Sequence, residues 1–137
     1  MPDPELSRLM SCLHRTPEDD LLWLAVADRL EEQGESPRAE LLRLSRWLRG
    51  MAGDDARWAV EERVRALVNG GVRPCVPEFV NSIGMRFALI PAGTFWMGSP
   101  DDEESRSADE GRHEVTLTRA FWMCVTPVTQ GQYEAVI

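Results

Sequence analysis

The chain has no lysine: all fifteen of its basic residues are arginine. It has a single tyrosine, three cysteines and no apolar run approaching the ~20 residues that a membrane-spanning helix needs. The arginine bias reads as genome composition rather than a guanidinium-specific function. Positive charge is scarce overall, with a formal net charge of −8 over 137 residues. The arginines lie among carboxylates and form no basic stripe, which argues against nucleic acid or an anionic membrane surface as partner. Cys12, Cys75 and Cys124 are odd in number and widely spaced, with no C-x-x-C pair. Neither His14 nor His113 stands at zinc-finger spacing, so the expectation is three reduced thiols that behave as small hydrophobes. The opening MPDPELSRLM has no cationic stretch ahead of an apolar core. A secretory leader is therefore not expected, and the predicted location is the cytoplasm.

What is present divides into two grammars. Through residue 69 the pattern is helical. Leu6, Leu9, Met10 and Leu13 follow i, i+3, i+4, i+7 spacing. Thr16 is the expected cap of a second helix, with Pro17 in its first position, Leu22, Val26 and Leu30 on one face, Trp23 and Ala27 widening that face, and Gly34 as the stop. Ser36 and Pro37 restart the pattern, with Leu41, Leu44, Trp47 and Leu48 as its apolar face and Gly50 as its end. Asp54 is the expected cap of a fourth helix carrying Val60, Val64, Leu67 and Val68, closed by Asn69-Gly70-Gly71. The short link from Gly34 to Ser36 predicts a helical hairpin. Trp23, Trp47 and Trp58 are expected in core or inter-helix contacts. Asp28 is read as pairing with an arginine of the next helix, against presentation to a partner or a neighbouring backbone.

After a Gly- and Pro-marked linker at 69–77 the period changes to two. Met85, Phe87 and Leu89 alternate with Arg86, Ala88 and Ile90, predicting a strand. Pro91-Ala92-Gly93 reads as a turn, so that Thr94–Gly98 returns as the second arm of a hairpin. An acidic loop fills 99–112. Val115 and Leu117 alternate inward, and Phe121–Thr126 is a further strand. Thr129 with Gln132 forms a capping-box pattern that opens a helix with Tyr133, Val136 and Ile137 on its apolar face. The acidic loop has no EF-hand register, because no glycine stands at its sixth position, and is read as solvated.

Two resemblances follow from these residues. Asn81, Gly84-Met85, Ile90-Pro91-Ala92-Gly93-Thr94-Phe95, Met97-Gly98-Ser99 and Val128-Thr129-Gln130-Gly131-Gln132-Tyr133, in this order, resemble the opening of the formylglycine-generating enzyme, or sulfatase-modifying-factor, family. The segment Asp20–Leu48, with Ala27-Asp28, Leu30-Glu31-Glu32, Gly34 and Arg38-Ala39-Glu40, is similar to a bacterial helical module called the repeat-companion domain, for which no biochemical activity is implied. Together they predict an α+β chain. Residues 1–50 would be the repeat-companion-like module, 51–76 a helix and linker, and 77–137 the truncated opening of a mixed α/β, C-type-lectin-like domain. The motif residues Asn81, Gly84, Met85, Pro91, Gly93, Met97, Gly98, Thr129, Gln132 and Tyr133 are expected to be structural.

The resemblance implies copper held by two thiolates, molecular oxygen, and conversion of a sulfatase cysteine to formylglycine. It places that cysteine pair late in the domain, at positions to which Cys124 does not correspond. The expectation is therefore a fragment without catalysis of its own, with no catalytic, cofactor-binding or metal-binding residue. Copper and calcium are expected only with a later segment. Two other readings stay open: a protein-interaction module whose strands complete a fold with another chain, and the front of a full oxidoreductase.

Overall fold

Four helices, α1 (Pro4–Arg15), α2 (Asp20–Glu32), α3 (Ser36–Gly50) and α4 (Asp55–Asn69), precede the strands of this computed structural model, which describes residues 1–51 and 55–137. The Asp54 cap expected for α4 lies outside the described residues. Each described helix end shows why the chain turns where it does. Asp3 caps α1 by accepting from the Glu5 amide, and also receives Arg29 at 2.6 Å from the second helix. Thr16, expected to cap α2, instead closes α1: its amide and hydroxyl both return to the Cys12 carbonyl at 2.9 Å. The cap of α2 is Asp19, whose carboxylate takes the Leu21 and Leu22 amides. A carboxylate at this end also faces the positive pole of the helix.

The α2–α3 hairpin ends α2 in a six-residue Schellman turn. Glu35 N–H reaches the Leu30 carbonyl and Gly34 N–H reaches that of Glu31, both at 2.9 Å. This geometry needs φ near +79° at Gly34, where a Cβ would be strained. The same turn recurs after α4, with Val72 bonding to Leu67, Gly71 bonding to Val68, and Gly71 at φ +87°. Ser36 does not cap α3. Its hydroxyl donates to Glu31 across the turn at 2.7 Å. Arg43 closes the hairpin from the α3 side, binding Asp28 at 2.8 Å and Glu31 at 2.9 Å. Asp28 thus has the arginine partner expected on the next helix.

Leu13, Trp23, Val26, Ala27, Leu30, Ala39 and Leu42 form one buried cluster, with Leu6, Leu9, Met10 and Leu22 packed against it. The Trp23 indole N–H donates to the Pro17 carbonyl at 2.8 Å, so its polar atom stays satisfied inside. Trp47 and Trp58, expected in contacts of this kind, are 58% and 59% exposed. On α3 the buried positions are Ala39, Leu41 and Leu42, while Leu44 and Leu48 are half-buried. On α4 Val60 and Leu67 are buried, and Val68 is exposed.

The strands make two small sheets. β1 (Glu78–Val80), β2 (Arg86–Ile90) and β5 (Phe121–Cys124) form an antiparallel sheet in the order β1-β2-β5. β3 (Gly93–Met97) and β4 (His113–Leu117) form the second, with Phe95 opposite Val115. The predicted 85–98 hairpin is therefore corrected: β2 and β3 are consecutive but belong to different sheets. Their connection departs from hairpin geometry at Gly93, where φ is +150°. β1 had no counterpart in the sequence reading. A short α5 (Gln130–Glu134) follows, its capping box formed as expected between Thr129 and Gln132.

The segment joining the two halves is packed rather than free. Cys75 is 7% exposed and belongs to the same cluster as Leu13 and Leu30, as does Leu89 of β2 at 2%. Val76, Ala120 and Trp122 pack on it from the strand side. The Arg73 carbonyl accepts from Arg38, and the Pro77 carbonyl accepts from the Leu89 amide at 3.0 Å. An aromatic stack extends the contact. His14 of α1 lies 4.7 Å from the Trp122 ring, and Phe79 lies 4.9 Å from Trp122 and 5.1 Å from Phe87. The helices and the three-stranded sheet thus share one core.

Candidate functional site

The motif residues fall into three groups. Asn81, Gly84 and Met85 build the β1–β2 turn. The Asn81 side-chain oxygen accepts from the Ile83 amide at 3.1 Å and the Met85 amide at 2.9 Å, while Gly84 supplies φ +79°. The second group is Pro91, Gly93, Met97 and Gly98, which frame β3. Pro91 is buried, and Met97 is 55% exposed at the strand's far end. A Cβ on Gly98 would stand 2.6 Å from the Gly111 carbonyl oxygen, so glycine allows the two ends of the acidic loop to meet. Thr129, Gln132 and Tyr133 form the third group at α5, with Tyr133 60% exposed. The three groups do not converge on one pocket; each shapes its own turn or helix start.

The second group does meet a site that the sequence reading missed. Arg49, at the end of α3, donates to the Pro91 carbonyl at 2.7 Å and the Ala92 carbonyl at 3.2 Å. Its aliphatic stem fills the space where a Gly93 Cβ would sit, with Cβ and Cγ both at 2.7 Å from that position. Arg57, on α4 and 3% exposed, donates to the Thr94 carbonyl at 3.0 Å. The same guanidinium donates to the Leu48 carbonyl at 2.8 Å and the Met51 carbonyl at 2.6 Å, and binds Glu61 at 2.7 Å. It thereby adds a donor at the end of α3, where the Leu48 carbonyl also accepts the Met51 amide at 3.3 Å. Arginine suits this task because its planar fork carries several donors in fixed directions; a lysine ammonium does not. Burial, reinforced by nearby Arg46, pulls the Arg49 guanidinium below its usual pKa.

Around this junction opens a cleft of about 950 Å³ between α3–α4 and the strands. Aromatic faces of Trp58, Phe95, Trp96 and Phe121 line it, together with Arg49, Arg57, Arg65 and Arg112. Arg112 lies 5.3 Å over the Trp96 ring and 3.8 Å from Glu61, so Glu61 faces two guanidiniums. The cleft offers guanidinium donors and apolar faces. The i, i+4 spacing of Arg57 and Glu61 is a sequence signal for that pair; no local pattern singles out Arg49.

The three thiols belong to three different parts of the fold. Cys12, Cys75 and Cys124 stand on α1, the connecting segment and β5, and none is in a disulfide. Copper(I) is held by thiolate. Burial of Cys75 raises its thiol pKa above the ordinary value and so favours the neutral form. Among the described residues no group of three or more His, Cys, Asp or Glu side chains is placed to hold a metal. In the acidic loop several carboxylates are already engaged. Asp101 binds Arg106 at 2.5 Å and Glu110 takes the Ser99 hydroxyl at 2.8 Å. Asp109 has a lowered pKa because the Ser107 hydroxyl bonds to it.

No helix among the described residues is long and apolar enough to cross a membrane. No curated protein matches the chain. One solved structure, of PvdO from Pseudomonas aeruginosa, shares 35% identity over 47% of this chain, with a TM-score of 0.42. The match spans 25% of that protein's length. Residues 77–137 match the family model of the Sulfatase-modifying factor enzyme 1-like domain, from the buried Pro77 through every motif residue described above.

Proposed function

We propose that residues 77–137 are the opening portion of a sulfatase-modifying-factor domain of the C-type-lectin-like kind. Residues 1–50 form a repeat-companion-like module, and 51–76 connect the two. In this reading the segment supplies scaffold rather than chemistry, and the motif residues set turns and caps. The observation that carries it is the family-model match over 77–137. Three unpaired thiols and an acidic, arginine-only surface suit a reducing cytoplasm, with partners that are proteins rather than nucleic acid.

The test is an oxidation assay of the 137-residue chain on a sulfatase-derived cysteine peptide, with copper(I) and oxygen supplied. The expected result is no formylglycine above a no-enzyme control. Turnover above that control would overturn the reading and place catalysis within these residues.

A further inference from the structure

We infer that the α3–α4 pair is a docking platform for a glycine-containing turn, recognised through its main chain by Arg49 and Arg57, and that β3–β4 owes its ordered state to this docking. The contacts define the kind of partner that fits. The platform reads carbonyl oxygens, those of Pro91, Ala92 and Thr94, rather than side chains. It also reads the absence of a side chain at 93, because the Arg49 stem occupies that space. Its occupant in this protein is the chain's own 91–94 turn.

Two observations make the dependence mutual. Among the described residues no carboxylate lies within ion-pair distance of Arg49: Glu18 acts on it only from farther away, and its guanidinium donates to the two turn carbonyls. Other helix arginines behave differently: Arg43 and Arg63 are matched to Asp28, Glu31 and Glu40 on neighbouring helices. A half-buried guanidinium without a direct ion pair relies on those carbonyls for its hydrogen bonds. In return, β3 pairs with β4 alone and packs on α3. A lone two-stranded sheet is marginal in water. Arg57 ties the systems together, since one guanidinium holds the Leu48 and Met51 carbonyls at the end of α3 and the Thr94 carbonyl of β3. The inference rests on these contacts and stands whether or not the family reading holds.

Hydrogen exchange on the full chain tests it. The readouts are the amides of Thr94–Met97 and His113–Leu117 against those of α2. Arg57→Met and Gly93→Ala are compared with Arg43→Met, which removes the surface ion pairs to Asp28 and Glu31. We expect exchange in β3–β4 to quicken at least tenfold in both Arg57→Met and Gly93→Ala, with α2 unchanged, and no change in β3–β4 for Arg43→Met. Should Arg57→Met unfold the whole chain, Gly93→Ala decides, because it leaves both arginines and every helix residue in place. Unchanged β3–β4 protection in Gly93→Ala overturns the inference. Equal loss of protection in α2 and β3–β4 of that variant also overturns it, since the dependence would then be global rather than local docking.

Discussion

Between residues 4 and 69, among the described residues, Leu13, Trp23, Val26, Leu30, Leu41, Leu42, Val60 and Leu67 are buried, against Leu21, Leu24, Trp47, Trp58 and Val68 exposed. Between 77 and 137, among the described residues, Leu89 is the buried counterpart, while Phe95, Met97, Phe121, Met123, Val125, Val128, Tyr133, Val136 and Ile137 are exposed. The helices close on one another through short connections and local contacts. The strands form two narrow sheets whose apolar side chains are, Leu89 apart, half-buried or exposed. Stability is therefore unevenly placed: the strand half borrows it through Leu89, Trp122 and the arginine junction. Apolar surface left in water forgoes roughly 25 cal/mol per Å².

The contrast is broken most severely at its centre. Trp23→Ala is expected to destabilise the chain by about 3–5 kcal/mol. That is a large share of the roughly 5–15 kcal/mol a domain possesses. Helical circular dichroism during urea unfolding should show the whole molecule shifting to lower denaturant; a loss below about 1 kcal/mol would mean Trp23 is not the keystone that its burial indicates. Leu89→Ala should come next, at about 2–5 kcal/mol, but with a different distribution. Protection should be lost in β1, β2 and β5 while α2 and α3 keep theirs. Equal loss in helices and strands would show one indivisible unit and erase the comparison.

Limited proteolysis sharpens the comparison at the connecting segment. The sequence marks both 69–77 and the acidic loop as candidate cut sites, but Cys75 is buried and the backbone at Arg73 and Pro77 is hydrogen-bonded. First cleavage is expected within 99–112, with 69–77 resistant until the chain unfolds. Early cutting at 69–77, read by mass spectrometry, would contradict the shared core.

The smallest effect concerns acid. Asp3 has a lowered carboxyl pKa because Arg29 donates to it, as do Glu31 beside Ser36 and Arg43, and Glu40 beside Arg63. A folded pKa below the unfolded one gives stability that is present above the ordinary carboxylate value of about 4 and is lost as pH falls through the depressed value. Asp3→Asn should therefore flatten the acid limb of Tm against pH while leaving its shape above pH ~6 unchanged. An identical acid limb in the variant would remove Asp3 from that balance.

The helices were legible because a 3.6-residue apolar period and Gly stops describe local events. Cap identity was less so. Thr16 and Asp19 both suit an N-cap, and what decides is that Thr16 finishes the preceding helix. Trp47 and Trp58 lie at apolar spacings, yet exposure depends on which neighbour covers each face, and no local rule supplies that. β1 escaped notice because Glu78-Phe79-Val80 is too short to show alternation beside two prolines. The hairpin was misread for a related reason. A Pro-Ala-Gly turn between alternating runs favours pairing, but Arg49 packed over Gly93 sends the chain to another sheet. The motif glycines were legible as turn makers; the two arginines that meet them were not, since a helix-end cation reads as solvated until a partner from another part of the chain is in view.

The acidic loop has a consequence of its own for how the chain tolerates change. Its ends are pinned where Ser99 bridges to Gly111, Ser99 N–H bonds to the Glu110 carbonyl at 3.0 Å, and Gly98 nests against the Gly111 carbonyl. What lies between is closed off like the stalk of a stem-loop, so its length is hardly felt by β3 and β4. Doubling a flexible loop adds only about 0.6 kcal/mol of closure entropy. A peptide tag or small reporter grafted between Glu103 and Ser107 should leave the register of Phe95 against Val115 intact, which makes this loop a natural port for sequence variation.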